Sequence, residues 1–218
     1  MLLQWVGFGG GLLLALAVHE LGHLLAARCC GVKVVSFSIG LGPELFAFND
    51  QFGTRWRLGV LPLGASVGMW DRPSPGTVAC GDRTDLSAAF SSKSIKQRAM
   101  IFLAGPIFSF LLASGLAGMV LILCGSDAIR EPFLTQCNMA VLLAASGLSL
   151  FIGAFNLLPL LPLDGGRLLF LGIEAFRTKP VPDRIQTQLS RAGLIAVLLL
   201  AALLGLFWTN GMMHAHGP

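Results

Sequence analysis

The sequence is short of charge. Of its 218 residues, 12% are Asp, Glu, Lys or Arg, and 55% are hydrophobic. Soluble domains carry about 25% charged residues, so water is not the main solvent of this chain. It is also short of cysteine. The five present, Cys29, Cys30, Cys80, Cys124 and Cys137, are too few and too irregular for a disulfide framework. None forms a C-x-x-C pair, which argues against a zinc ribbon. Cys124 and Cys137 bracket one short loop and can pair only if that loop faces an oxidising compartment. No Lys or Arg precedes the first apolar run, which argues against a signal peptide there. No internal repeat is visible. The net charge of +4 is a small excess; the bilayer is the expected partner, and no nucleic acid is.

What is there in quantity is apolar sequence, in four runs at about 2–27, 99–124, 139–163 and 192–208. A helix needs about 20 apolar residues, rising 1.5 Å each, to cross ~30 Å of hydrocarbon. The expected fold is therefore an α-helical membrane protein with four transmembrane helices, a single membrane domain over 1–218. Residues 33–70 differ from the rest. "VKVVSFSIGLGPELFAF" and "TRWRLGVLPLGASVGMW" are rich in Val, Ile, Phe and Trp with partial alternation. They predict short β-strands turned at Gly40, Gly42 and Pro43, and again around 49–53. Residues 71–95 read as a polar loop.

Basic residues orient the chain. Nine lie between runs one and two and five between runs three and four, which leaves only Arg130 elsewhere. Both termini are expected outside, with both long connections in the cytoplasm.

The first run carries "AVHELGHLLAA" at 17–27. His19 and His23, four residues apart, share one helix face, and Glu20 stands beside them. H-E-x-x-H on a helix holds zinc through its two histidines, with the glutamate as general base. Catalytic zinc takes a third protein ligand and a water. Among the acidic residues, Asp164 is the one at the end of an apolar run, in "FNLLPLLPLDGGRLLF", and an intramembrane carboxylate points to function. Run one enters from outside and reaches His19 after roughly 25 Å of helix. Run three also enters from outside and meets Asp164 at its cytoplasmic end, so the three groups are expected at similar depth. Two neutral imidazoles, one carboxylate, Zn²⁺ and a hydroxide sum to zero charge, which a low-dielectric site tolerates. Pro159 and Pro162 cannot continue a helix, so the end of run three is expected to unwind. Asn156 can reach the same cavity and donate to a substrate carbonyl, or make an interhelical hydrogen bond.

With these residues in view, the chain resembles the site-2 protease family of intramembrane zinc metalloproteases, in particular its bacterial regulator-of-sigma-E protease branch. The resembling stretches run in order: "HELGH", "FSIGLGPELF", "TRWRLGVLPLGASVGMW", "KSIKQRAMIFLAGPIFSF", "NLLPLLPLDGGRLLF" and "EAFRTKPVPDRIQ". The resemblance implies His19, His23 and Asp164 as zinc ligands, Glu20 as general base and Asn156 as a contact to the substrate backbone. It implies that the 33–70 hairpins, with Gly40 and Gly42, form a membrane-associated sheet whose edge binds substrate. It also implies membrane-protein or peptide substrates, of the anti-sigma-factor or remnant-signal-peptide type, and a bacterial inner-membrane location with the site toward the cytoplasm. Two departures stand out. The branch usually carries PDZ domains between its second and third crossings, where this chain has only "GSDAIREPFLTQCN". The family's G-P-x-x-N-F is here "GPIFSF", with Ser109 in place of Asn.

The expected activity is an endopeptidase that cuts transmembrane or membrane-adjacent segments. The alternatives are a non-proteolytic membrane protein that binds zinc or peptide on the same frame, and a metal-ion transporter. A pure binder has no use for Glu20. A transporter would need polar residues along runs two and four, which supply almost none.

Overall fold

The computed structural model describes residues 2–71, 86–125, 132–177, 181–182, 184–195, 197 and 199. The chain forms two compact units, Met1–Asn156 and Leu157–Pro218.

Three long helices build the first unit: α1 (Leu2–Cys29), α2 (Ile95–Gly125) and α3 (Pro132–Asn156). Each contains a stretch long and apolar enough to cross a membrane, Gly7–Cys29, Ile95–Cys124 and Met139–Asn156. The fourth expected crossing lies mostly outside the described residues; helix is described there over 184–195. Lipid offers no hydrophobic drive to pair such helices, so close packing through small residues must do it. Gly22 of α1 shows this, since a Cβ there would lie 2.5 Å from the Ala104 carbonyl oxygen of α2. Gly11 lies against Ala145 of α3 in the same way. At the far end of α2, the Cys124 thiol is free and lies 3.4 Å from the Met139 sulfur.

Helix α1 stops because Gly31 takes φ +68°, a conformation that costs a residue without Cβ little. Two bonds close the stop, Val32 N–H to the Ala27 carbonyl at 2.9 Å and Gly31 N–H to the Arg28 carbonyl at 3.0 Å. This is the Schellman pattern. The turn sends the chain straight into the sheet. Leu24, Ala27, Cys30, Val32, Val34, Phe37 and Ile101 are buried together, joining the end of α1, the first strand and the start of α2. This core begins one residue after His23 and holds that end of α1 in place.

The strands are longer than the sequence predicts. Instead of several short segments there are two, β1 (Val34–Asn49) and β2 (Arg55–Met69), paired antiparallel. Both are bent. Asn49 pairs with Arg55 and Phe46 with Leu58, while Phe37 and Ile39 reach Val67 and Ala65. Phe37 and Ile39 also lie beside Trp56 and Leu58, which folds the hairpin back along itself. The bend needs Gly40 (φ +83°), where a Cβ would meet the Leu61 carbonyl oxygen at 2.6 Å. The result is an apolar but exposed outer segment that includes Leu41, Leu45, Phe46 and Phe48.

The turn at 50–54 is tied to α1. The Asp50 carboxylate accepts from the backbone N–H groups of Phe52 and Thr54, both at 2.9 Å, from Trp56 Nε1 at 3.0 Å and from Arg28. Arg28 also donates to Thr54 Oγ1 at 2.9 Å and lies 4.5 Å over the Phe52 ring. Part of the 71–95 loop, residues 72–85, lies outside the described residues. Leu86–Ala88 and Phe90–Ser92 form short 3₁₀ turns.

The second unit opens with non-helical backbone over 157–163, then α4 (Asp164–Arg177). This is the expected unwinding at Pro159 and Pro162. Gly165 and Gly166 pack so tightly against this segment that a Cβ would meet the Leu157 carbonyl oxygen at 2.2 Å and the Leu160 carbonyl carbon at 2.5 Å. Asp164 stands in the first turn of α4 and Arg177 in the last, each matched in sign to its end of the helix dipole.

Candidate metal centre

In the first unit, His19 and His23 project from successive turns of α1 and are buried, at 4% and 5% exposure. Their rings meet edge to face, with centroids 5.0 Å apart, and their Nε2 atoms are 3.4 Å apart. Two buried imidazole nitrogens this close together can share one cation. Tetrahedral zinc with Zn–N bonds of 2.0–2.1 Å needs its two nitrogen ligands about 3.3 Å apart. The pair fits that requirement without movement.

The opposite ring nitrogens are both engaged, by α2. His23 Nδ1 lies 2.8 Å from the Ile101 carbonyl oxygen. A carbonyl only accepts, so Nδ1 carries the proton, and in the neutral ring Nε2 is the unprotonated nitrogen. His19 Nδ1 lies 3.0 Å from Ser109 Oγ. Between these two anchors comes Gly105, where a Cβ would sit 2.3 Å from His23 Nε2 and 2.9 Å from His19 Cε1. Ile101, Gly105 and Ser109 recur every fourth residue and so line one face of α2. The first accepts from one imidazole, the second makes room for both rings, and the third meets the other imidazole.

Glu20 projects from the next position on α1 and is half-buried. Asn156 is the last residue of α3; its side-chain amide donates to the Ile152 carbonyl at 2.9 Å, within its own helix. This bond, within one helix, is neither of the two that the sequence suggests. Gly40 and Gly42 form the bend of β1, with φ +83° and +90°. In the second unit, Asp164 is buried at 7% exposure. Among the described residues, the buried side chains that bear an imidazole or a carboxylate are His19, His23 and Asp164.

Sequence reasoning misses the second ring of partners. The Ile101 carbonyl is backbone and leaves no trace in residue identity. Gly105 reads as one small residue among many. Ser109 is visible only as a departure from a family motif, and its contact depends on which face of α2 meets α1.

Much of the chain is similar in sequence to known proteins. The profile of peptidase family M50 matches residues 8–140 and 116–200, most of the chain. A protein of Mesorhizobium japonicum, provisionally named a zinc metalloprotease, is 42% identical over 102 residues, 44% of this chain and 28% of its own. The regulator of sigma E protease of Haemophilus influenzae is 40% identical over 108 residues, 48% of this chain and 24% of its own. The regulator of sigma-E protease of Salmonella typhimurium is 43% identical over 99 residues, 45% of this chain and 21% of its own. These matches span less than a third of each relative.

Proposed function

The chain belongs to peptidase family M50, and on that premise we propose that it is a zinc endopeptidase acting on peptide segments in or beside the membrane. The observation that carries this is the His19–His23 pair, with Nε2 atoms 3.4 Å apart and each Nδ1 within hydrogen-bond distance of α2. Metal-ligating histidines generally show this pattern, with the far nitrogen fixed by an outer partner that sets tautomer and ring angle.

Asp164 is the third ligand in this proposal. It is the one buried carboxylate among the described residues, and its charge offsets the cation. Zinc, when bound, supplies a Lewis acid that polarises the scissile carbonyl and makes a water acidic near neutral pH. The chain does the rest. Glu20, one residue from a ligand, takes a proton from the attacking water and hands it to the leaving amide nitrogen. The buried flanks of α1 and α2 keep bulk water from the imidazoles, which strengthens every charge interaction there.

A helical substrate must unwind before its carbonyl can be attacked. The bent hairpin supports the reading that an extended peptide is presented along its edge, held by main-chain hydrogen bonds. Gly40 and Gly42 then serve the substrate indirectly, by making the bend. Asn156 contacts the substrate backbone in this proposal, which requires its amide to turn from the Ile152 carbonyl. Substrates of the anti-sigma-factor and remnant-signal-peptide types both offer such segments. The orientation follows the basic residues: termini outside, site toward the cytoplasmic face of a bacterial inner membrane.

Cleavage of a reporter transmembrane peptide by the purified chain in liposomes tests the proposal. Glu20→Gln keeps the shape of the side chain and removes its basicity. It should retain the fold and zinc while cleavage falls at least ~10²-fold. Undiminished cleavage by this variant would remove Glu20 from the mechanism.

A further inference from the structure

We infer that Ser109 is a positioning residue for the metal, holding the His19 imidazole by its far nitrogen. This rests on the zinc reading above but concerns a residue that the family motif does not supply, since the motif carries Asn at this place.

Three observations carry it. Ser109 Oγ lies 3.0 Å from His19 Nδ1, and the serine is completely buried. Ser109 is itself fixed: the Ser149 hydroxyl of α3 donates to the Ser109 backbone carbonyl at 2.9 Å, and Ser149 is also completely buried. His23 has a counterpart in the Ile101 carbonyl, so without Ser109 one imidazole of the pair would lose the outer partner that the other keeps. With Nε2 directed at the cation, His19 Nδ1–H donates and Ser109 Oγ accepts. With the cation on Nε2, the bond receives the Nδ1 proton and sets the ring angle about its bond to the helix.

A rival explanation is that Ser109 only glues helices together, as buried serines in membrane bundles do. The two differ in what they protect. Glue protects the fold. A positioning bond protects metal affinity, typically about ten- to hundredfold.

Zinc affinity is measured by chelator competition on the detergent-solubilised chain, alongside the visible spectrum of the cobalt-substituted protein. Ser109→Ala removes one oxygen. It should weaken zinc about ten- to hundredfold and shift the cobalt bands, with the metal-free thermal midpoint lowered no more than by loss of one buried hydrogen bond elsewhere between the helices. Ser109→Asn, whose amide oxygen can accept the same bond, should recover most of the affinity. Ser146→Ala, which removes the α3 hydroxyl that donates to the Ala113 carbonyl of α2 at 2.8 Å, tests the glue alone and should lower the thermal midpoint while zinc affinity stays within about threefold of wild type, well short of that loss. Wild-type affinity and spectrum in Ser109→Ala would overturn the inference. If that variant does not fold, Ser109→Cys, similar in size and a weak hydrogen-bonding group, carries the same two outcomes. A wild-type chain that takes up no zinc at all would instead fail the functional reading, so the two failures are distinguishable.

Discussion

An imidazole can bind a cation only through a nitrogen that carries no proton, and each proton here is steered by an atom of α2. His23 Nδ1 faces a backbone carbonyl, so its protonation is set by geometry. His19 Nδ1 faces a hydroxyl, which either donates or accepts, so the cation and the serine choose that tautomer together. Gly105 matters as much as the ligands, because both rings occupy the space its missing side chain leaves. Gly105→Ala places a carbon 2.3 Å from His23 Nε2 and must push one or both rings aside. Zinc affinity by chelator competition should fall at least about tenfold, although no ligand has changed. An unaltered affinity would show that the rings are held less rigidly than described. The proposed ligands His19 and His23 are legible in the sequence, since two histidines and a glutamate in an apolar run have few other uses. The groups that aim them are not, because a carbonyl has no letter and a glycine has no side chain to announce its task.

At the scale of elements, the hairpin shows how an ion pair on one strand end sets the placement of a whole sheet. Burial pushes the Asp50 carboxyl upward, but hydrogen bonds from Trp56 Nε1, the Thr54 backbone, Arg28 and the Phe52 backbone outweigh it and hold its pKa well below the usual carboxylate range. A carboxyl depressed in the folded state contributes stability above its unfolded value, about 3.9. That contribution is lost as pH falls from there toward the folded value. The tie between α1 and the 50–54 turn should thus be constant from neutral pH down to about pH 5 and weaken below about pH 4. Trp56 fluorescence, read with Trp5, Trp70 and Trp208 replaced by Phe, should follow that profile. In Asp50→Asn the same signal should be flat with pH and already altered at neutrality; an acid transition that survives this change would assign the effect to another group. The existence of these strands is legible from their Val, Ile, Phe and Trp content. Their length is not, because Gly40 and Gly42 read as turns, whereas the chain uses them to bend a strand that stays paired on both sides of the bend.

For the molecule as a whole, three helices long and apolar enough to cross a membrane, with β-structure between the first two, follow from composition. The ends are less faithful. The third run stops being helix at Asn156, and Asp164 begins a new helix after seven irregular residues. The prolines foretell the break, but nothing in the spacing foretells that the proposed ligand Asp164 heads α4. Orientation can be read from native thiols. Cys29 near the end of α1 and Cys124 near the end of α2 are exposed, and the proposed orientation puts Cys29 on the cytoplasmic face and Cys124 on the outer one. In cells whose other cysteines are replaced by serine, a membrane-impermeant thiol reagent should label Cys124 directly and Cys29 only after permeabilisation. The reverse order would invert the topology.

The central claim is that one chain holds one zinc ion through His19, His23 and Asp164, and elemental analysis of the purified protein addresses it most directly. The prediction is one zinc per chain in the wild type, the same in Glu20→Gln, and loss of the metal in His23→Ala and Asp164→Ala. A full complement of zinc in Asp164→Ala, or none in the wild type, would contradict it.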